Sequence, residues 1–123
     1  MRIKLTILLL AILFTSLYAC QNKQASKVKA APVYKGLYSF GPEIKSFKQC
    51  NTGHEFWVTD SCAQLELKYS QLNADHPDEP VYIEVKGYKL KSPKNGLGSD
   101  YDSVLIVKKL IKITKDIPKG VCN

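Results

Sequence analysis

After its second residue this sequence contains no arginine, and after its first no methionine. Without arginine there is no planar guanidinium fork to read base edges or clamp phosphates in two bonds at once. Without methionine there is no thioether ligand of the kind that soft copper sites favour. Histidine is limited to His54 and His76, and the four cysteines contain no Cys-x-x-Cys pair. Gly-x-Ser-x-Gly, the metal-protease helix motif and a phosphate-binding glycine loop are missing too. No set of nucleophile, base and orienter is legible, so the chain reads as a non-enzyme with no cofactor and no metal.

What is present begins with an address. Met1-Arg2-Ile3-Lys4 supplies two cations, and Leu5 to Leu17 is apolar apart from Thr6, Thr15 and Ser16. That is the n-region and h-region of a secretory signal, and it is too short for the ~20 residues that span a bilayer as a helix. Leu17-Tyr18-Ala19-Cys20 resembles the lipobox of bacterial lipoproteins, with Tyr18 bulkier than usual. The resemblance implies cleavage after residue 19 and acyl chains on Cys20, and more than one chain makes anchoring stable. By resemblance to the sorting rule of Gram-negative lipoproteins, Gln21 in place of Asp implies transfer to the outer membrane, facing the periplasm.

The expected organisation is a signal peptide over residues 1–19, a lipidated start and tether over 20–32, and one small domain over 33–123. The tether is polar, aperiodic and rich in Lys, Ala and Gln, which predicts flexibility. Removing Arg2 and Lys4 from the 18 cationic residues leaves 16 lysines against 11 acidic residues, a formal charge of +5. Spread lysines without arginine, in an exported chain, argue against nucleic acid and for a solvated surface near anionic lipid or glycan. With Cys20 lipidated, Cys50, Cys62 and Cys122 remain in an oxidising compartment. One disulfide and one spare thiol is the natural arithmetic, and spacing alone leaves three pairings open.

Val33 to Cys50 reads as one long extended segment bent at Gly41-Pro42, with Tyr34, Tyr38 and Phe40 on one face. Asn51-Thr52-Gly53 predicts a tight turn into a returning strand over His54 to Thr59. The period then changes: Cys62, Leu65, Tyr69 and Leu72 form a helical stripe, with Ser61 and Gln64 placed as a capping box and Asp60 near the N-terminus. Val81, Ile83 and Val85 alternate as a half-buried strand. At Gly87 the apolar parity slips to Tyr88 and Leu90, the mark of a β-bulge. After a loop over Ser92 to Asp102, the strand Val104 to Ile113 places Leu105, Val107, Ile111 and Ile113 on one face. These elements predict a mainly β fold, a small curved barrel with one α-helix.

Phe47-Lys48-Gln49-Cys50-Asn51-Thr52-Gly53, the following His54 to Val58, the helix Gln64 to Tyr69 and the strand Pro80 to Tyr88 resemble, in order and spacing, the C-terminal OB-like domain of NlpE-type lipoproteins. The likeness covers residues 33–122. It implies an OB-like barrel on an envelope lipoprotein, and it implies that Cys50 pairs with Cys122, which leaves Cys62 as the free thiol. Full-length members are associated with envelope-stress signalling, surface sensing and copper tolerance. Their copper-linked Cys-x-x-Cys is missing here, so copper handling is not carried across.

Cys62 has two readings, a redox-sensitive thiol at a helix start or a small buried hydrophobe, and its place in the apolar stripe favours the second. His76 lies among Asp75, Asp78 and Glu79 on a proline-bounded loop, a solvated setting and not a ligand set. Tyr38, Trp57, Tyr82 and Tyr88, with Tyr34, are the aromatic candidates for the binding face of an OB-type barrel. The function expected is a lipid-anchored, non-catalytic binding or sensing module whose partners are a membrane and an envelope protein or glycan. The rivals are a thiol-redox or copper-handling envelope protein, and a structural envelope protein or inhibitor. Intact-mass measurement of the mature protein is expected to show residues 1–19 removed, acyl mass added at Cys20 and one disulfide; an unmodified Cys20 would overturn the anchor.

Overall fold

A computed structural model describes residues 30–122. The signal peptide, Cys20 and most of the expected tether lie outside the described residues. The elements are β1 (Val33–Phe40), β2 (Lys45–Gln49), β3 (Glu55–Asp60), α1 (Leu65–Leu72), β4 (Val81–Lys91) and β5 (Ser103–Thr114). The strands close into a barrel in the order β1-β2-β3-β5-β4. β3 and β5 run parallel, and the remaining neighbours are antiparallel.

The segment expected as one bent strand is two. Gly41-Pro42 reverses the chain, the Gly41 N–H donates to the Ile44 carbonyl at 2.8 Å, and β2 folds back on β1 with Tyr38 opposite Phe47. Proline has no N–H to give a ladder and a fixed φ, so the break ends pairing and does not merely bend it. The β2–β3 turn forms where expected, with Gly53 donating to Gln49 and Gln49 donating to His54, both at 2.8 Å. β1 also pairs β4, Tyr34 opposite Val85 and Tyr38 opposite Val81.

Alternation then fills the interior. Tyr34 and Tyr38 from β1, Phe47 from β2, Phe56 and Val58 from β3, with Val81, Ile83 and Val85 from β4, are buried together with Leu105 and Val107 of β5. Each such side chain contributes roughly 1.5–3 kcal/mol by leaving water. Leu65 and Tyr69 of α1 join this core, and the Tyr69 ring meets Tyr38 edge-on at 5.5 Å.

The helix starts differently from the expected capping box. Gln64 is its N-cap residue and makes no side-chain cap bond, while Ala63 takes a left-handed φ of 55°. Asp60, at the end of β3, does the capping: one carboxylate oxygen accepts the Glu66 N–H at 3.0 Å. Its other oxygen accepts the Cys62 N–H at 3.3 Å and the Cys62 thiol at 3.1 Å. Cys62 therefore precedes the helix, half-buried against the core with Leu72.

The slip near Gly87 is present, and its extra residues stand on the opposite strand. Gly87 pairs Val107 and Lys86 pairs Lys109, which leaves Lys108 extra; Val85 pairs Leu110 and Glu84 pairs Lys112, which leaves Ile111 extra. β4 keeps its parity, so Tyr88 and Leu90 are exposed at 41% and 51%. On β5 the inward set becomes Leu105, Val107, Leu110 and Ile113, and Ile111 turns out to solvent. Two bulges on one strand tighten the curvature that a five-strand closure requires.

Beyond β5 the chain returns so that Cys122 is joined to Cys50, 72 residues away, with Cα atoms 4.5 Å apart. A loop of that length stabilises by about 4 kcal/mol in the chain-entropy account.

Two expectations follow from this packing. A Cβ at Gly87 would collide with the Ile106 carbonyl and lie 3.3 Å from Val107 Cα, backbone that cannot swing aside. Gly87→Val should cost about 3 kcal/mol, read as a lower urea midpoint at unchanged slope. Burial, then the Glu84 hydrogen bond and charge, push the Tyr82 hydroxyl up to about 12, and burial pushes Tyr38 further still. A raised folded-state value means that this stabilisation is complete below about pH 10 and is lost as pH rises from there towards the folded value. In an ultraviolet titration, Tyr82→Phe should leave the absorbance change up to about pH 11 unaltered; a smaller change would show Tyr82 ionising with the exposed tyrosines.

Candidate functional site

With its interior filled by side chains, the barrel has only outer surfaces to offer a ligand. That corrects half of the expected aromatic face. Tyr38 is fully buried, because two-residue alternation points it inward with Tyr34. Tyr82 stands on the outer parity of β4 yet is only 1% exposed, and its hydroxyl is held by Glu84 at 2.9 Å. Trp57 and Tyr88 remain on the outside. Their strands flank β5, with Trp57 beside Val104 and Tyr88 beside Ile106.

Trp57 forms one wall of a cavity of about 540 Å³. β3 supplies the indole on its outward side, and the loop between β4 and β5 supplies the facing wall. Gly98 is the pivot of that loop: its φ is +84°, and a Cβ there would sit 2.8 Å from the indole Cγ. Only glycine lets the backbone lie against the ring in that conformation. Turns from Gly96 to Ser99 and from Gly98 to Tyr101 then swing the Tyr101 ring to 5.9 Å from Trp57, tilted at 57°. Leu97 projects beside them, 77% exposed.

The rest of the lining has one sign of charge. Glu43 comes from the β1–β2 turn, Glu55 from the start of β3, and Asp100 and Asp102 from the approach to β5. These are four of the eleven acidic residues, in a chain of net +7, and no lysine lines the cavity. Among the described residues the ion pairs are Lys35 with Glu84 at 3.6 Å and Lys45 with Glu66 at 2.7 Å. Among the described residues none of the cavity carboxylates lies in an ion pair with a lysine, Lys48 opposite Glu55 included.

Sequence reasoning found Trp57 and missed its companions. Leu97 and Tyr101 fell in a segment read only as a loop, and Glu43 and Glu55 are distant from it in sequence. The signal that was there is Asp100-Tyr101-Asp102, an aromatic residue between two acids directly before β5.

Other candidates are placed as follows. The Cys62 thiol, free among the described residues, donates to Asp60, and the residue packs on the core. A second cavity of about 420 Å³ lies between the β1–β2 turn and the end of α1, lined by Phe40, Pro42, Tyr69 and Pro77. At its floor the buried Asn73 donates to the Glu79 carbonyl at 2.8 Å, as the Tyr69 hydroxyl does at 2.7 Å, which pins the acidic loop. His54 meets Phe56 edge-on, while the His76 N–H closes a turn on Asn73. Among the described residues no three of His, Cys, Asp and Glu are placed to share a metal ion. No helix among them is long and apolar enough to cross a membrane.

The chain spans less than half of a solved relative that it resembles, the Cpx pathway activator NlpE from Escherichia coli. That crystal structure matches with a TM-score of 0.53 and 23% identity, over 70% of this chain and 43% of the other. At that identity the likeness is one of fold. No curated protein matches the chain. The family model of the NlpE C-terminal OB domain matches residues 28–123, the whole barrel with its helix and both bridged cysteines. The chain belongs to the NlpE C-terminal OB domain family.

Proposed function

We propose that this chain is a lipid-anchored, non-catalytic binding or sensing module of the cell envelope, held at the outer membrane and facing the periplasm. The observation that carries the reading is the family match over residues 28–123, joined in one sequence to the lipobox ending at Cys20. The solved relative is described as an activator of the Cpx pathway. Envelope-stress or surface sensing is accordingly the process assigned to this domain.

The barrel supports binding over catalysis in a physical way. Its interior holds packed aromatic and aliphatic side chains, and four of its acidic groups line an open cavity beside aromatic rings, with no histidine among the lining residues. Such a surface recognises a partner by charge and shape, and a closed sheet gives it a rigid platform. Cys62 supports a packing role over thiol exchange, since its sulfur is engaged by Asp60.

The wild-type chain is expected to fractionate with the outer membrane, and Cys20→Ala to appear in the soluble envelope fraction. An envelope-stress reporter should respond to overproduction of the first and not of the second. Wild-type protein in the soluble fraction would overturn the anchored reading.

A further inference from the structure

We propose that the outer face of β3, with the cavity between Trp57 and Tyr101 at its edge, docks a lysine- or arginine-bearing peptide segment of a partner protein. This deepens the binding reading above by naming the partner's chemistry. Charge complementarity argues for it. Four carboxylates reach one cavity from three separate stretches of chain, none paired with a lysine among the described residues, although the chain has a net charge of +7. By register Lys48 stands opposite Glu55 on the neighbouring strand, yet it makes no ion pair with it among the described residues, and no lysine lines the cavity.

The aromatic pair adds a preference that carboxylates alone do not have. Two rings tilted at 57° and 5.9 Å apart offer π-faces to a cationic head and an apolar wall to its methylene stem. A cavity of about 540 Å³ has room for a cationic side chain together with neighbouring residues of an extended segment. Beside it Leu97 and Leu90 are 77% and 51% exposed, and Leu90 adjoins Val104, which adjoins Trp57 across the sheet. A segment with alternating cationic and apolar residues would set its cations at the cavity and its apolar side chains along that row. A free metal ion would have no use for the rings or the leucines.

Trp57 is the only tryptophan in the chain, so its fluorescence reports this cavity and nothing else. The full mature protein is titrated with acetyl-Lys-Leu-Lys-Leu-Lys-Leu-amide, with the glutamate counterpart of that peptide, and with spermidine. The lysine peptide is expected to give a saturable change that weakens with salt, and the glutamate peptide none. Asp100→Asn with Asp102→Asn should raise the lysine peptide's Kd about tenfold or more, the loss expected for charged hydrogen bonds. Asp75→Asn with Asp116→Asn changes net charge equally away from the cavity and should leave Kd within about twofold, the scale of general screening. Tyr101→Phe should bind as wild type and Tyr101→Ala more weakly.

Equal weakening by the two double variants would overturn the site, since it would mean diffuse attraction only. Spermidine binding as tightly as the peptide would replace the peptide with a free polyamine and overturn the partner. A fluorescence change on concentrating the protein alone would assign the face to a second copy of the chain, with the same consequence. Because these titrations are made in solution, their failure leaves the anchored reading, tested by fractionation, standing or falling by itself.

Discussion

Ring closure governs this molecule. Five strands make a barrel only if β1 hydrogen-bonds to β2 on one side and β4 on the other, while β3 reaches β5 in parallel. A sheet so narrow must curve sharply, and its curvature is concentrated where β5 carries two extra residues opposite Gly87 and Glu84. Closure removes the open edges through which a small sheet would pair with other chains. It also brings every inward side chain to a common interior, where tyrosines and phenylalanines do the filling. The helix and the Cys50–Cys122 bridge are consequences of that geometry. Asp60 ends β3 and starts α1 with the same carboxylate, and the bridge ties the returning tail to the residue after β2.

A filled barrel moves recognition outward. Tyr38 is inside and Tyr82 is covered, so neither presents a ring, whereas Trp57 stands outside on a strand whose neighbours β2 and β5 hold it rigid. The β4–β5 loop completes the cavity with Tyr101 because glycine at position 98 lets backbone approach the indole. The cavity is half sheet and half loop: β3 fixes Trp57 and Glu55, and the loop brings Tyr101 with Asp100 and Asp102.

Much of the fold could be read in advance because it is written in local periods. The helix from its three-and-four stripe, the Asn51-Thr52-Gly53 turn, the alternation of Val81, Ile83 and Val85, and the apolar strand after residue 103 are all local patterns that the structure contains. The errors of strand parity have one cause. Ile111 and Leu110 exchange faces because bulges insert residues, and Tyr88 and Leu90 stay outside because β4 kept its phase while β5 lost it. Parity along one strand cannot show which of two paired strands carries the extra residue. Likewise Ser61 and Gln64 had the spacing of a capping box, and Asp60 took the task because β3 ends with its carboxylate beside the helix.

The sequence by itself determined the mainly β class, the helix between β3 and β4 and the absence of catalytic motifs, since each is a matter of composition or of neighbours within a few residues. Tertiary structure alone decided which aromatics face out and which acids meet at Trp57. Glu43, Glu55, Asp100 and Asp102 come together because β1, β2, β3 and β5 are wound into one ring. That juxtaposition depends on register between strands distant in sequence, and register is a property of the closed sheet.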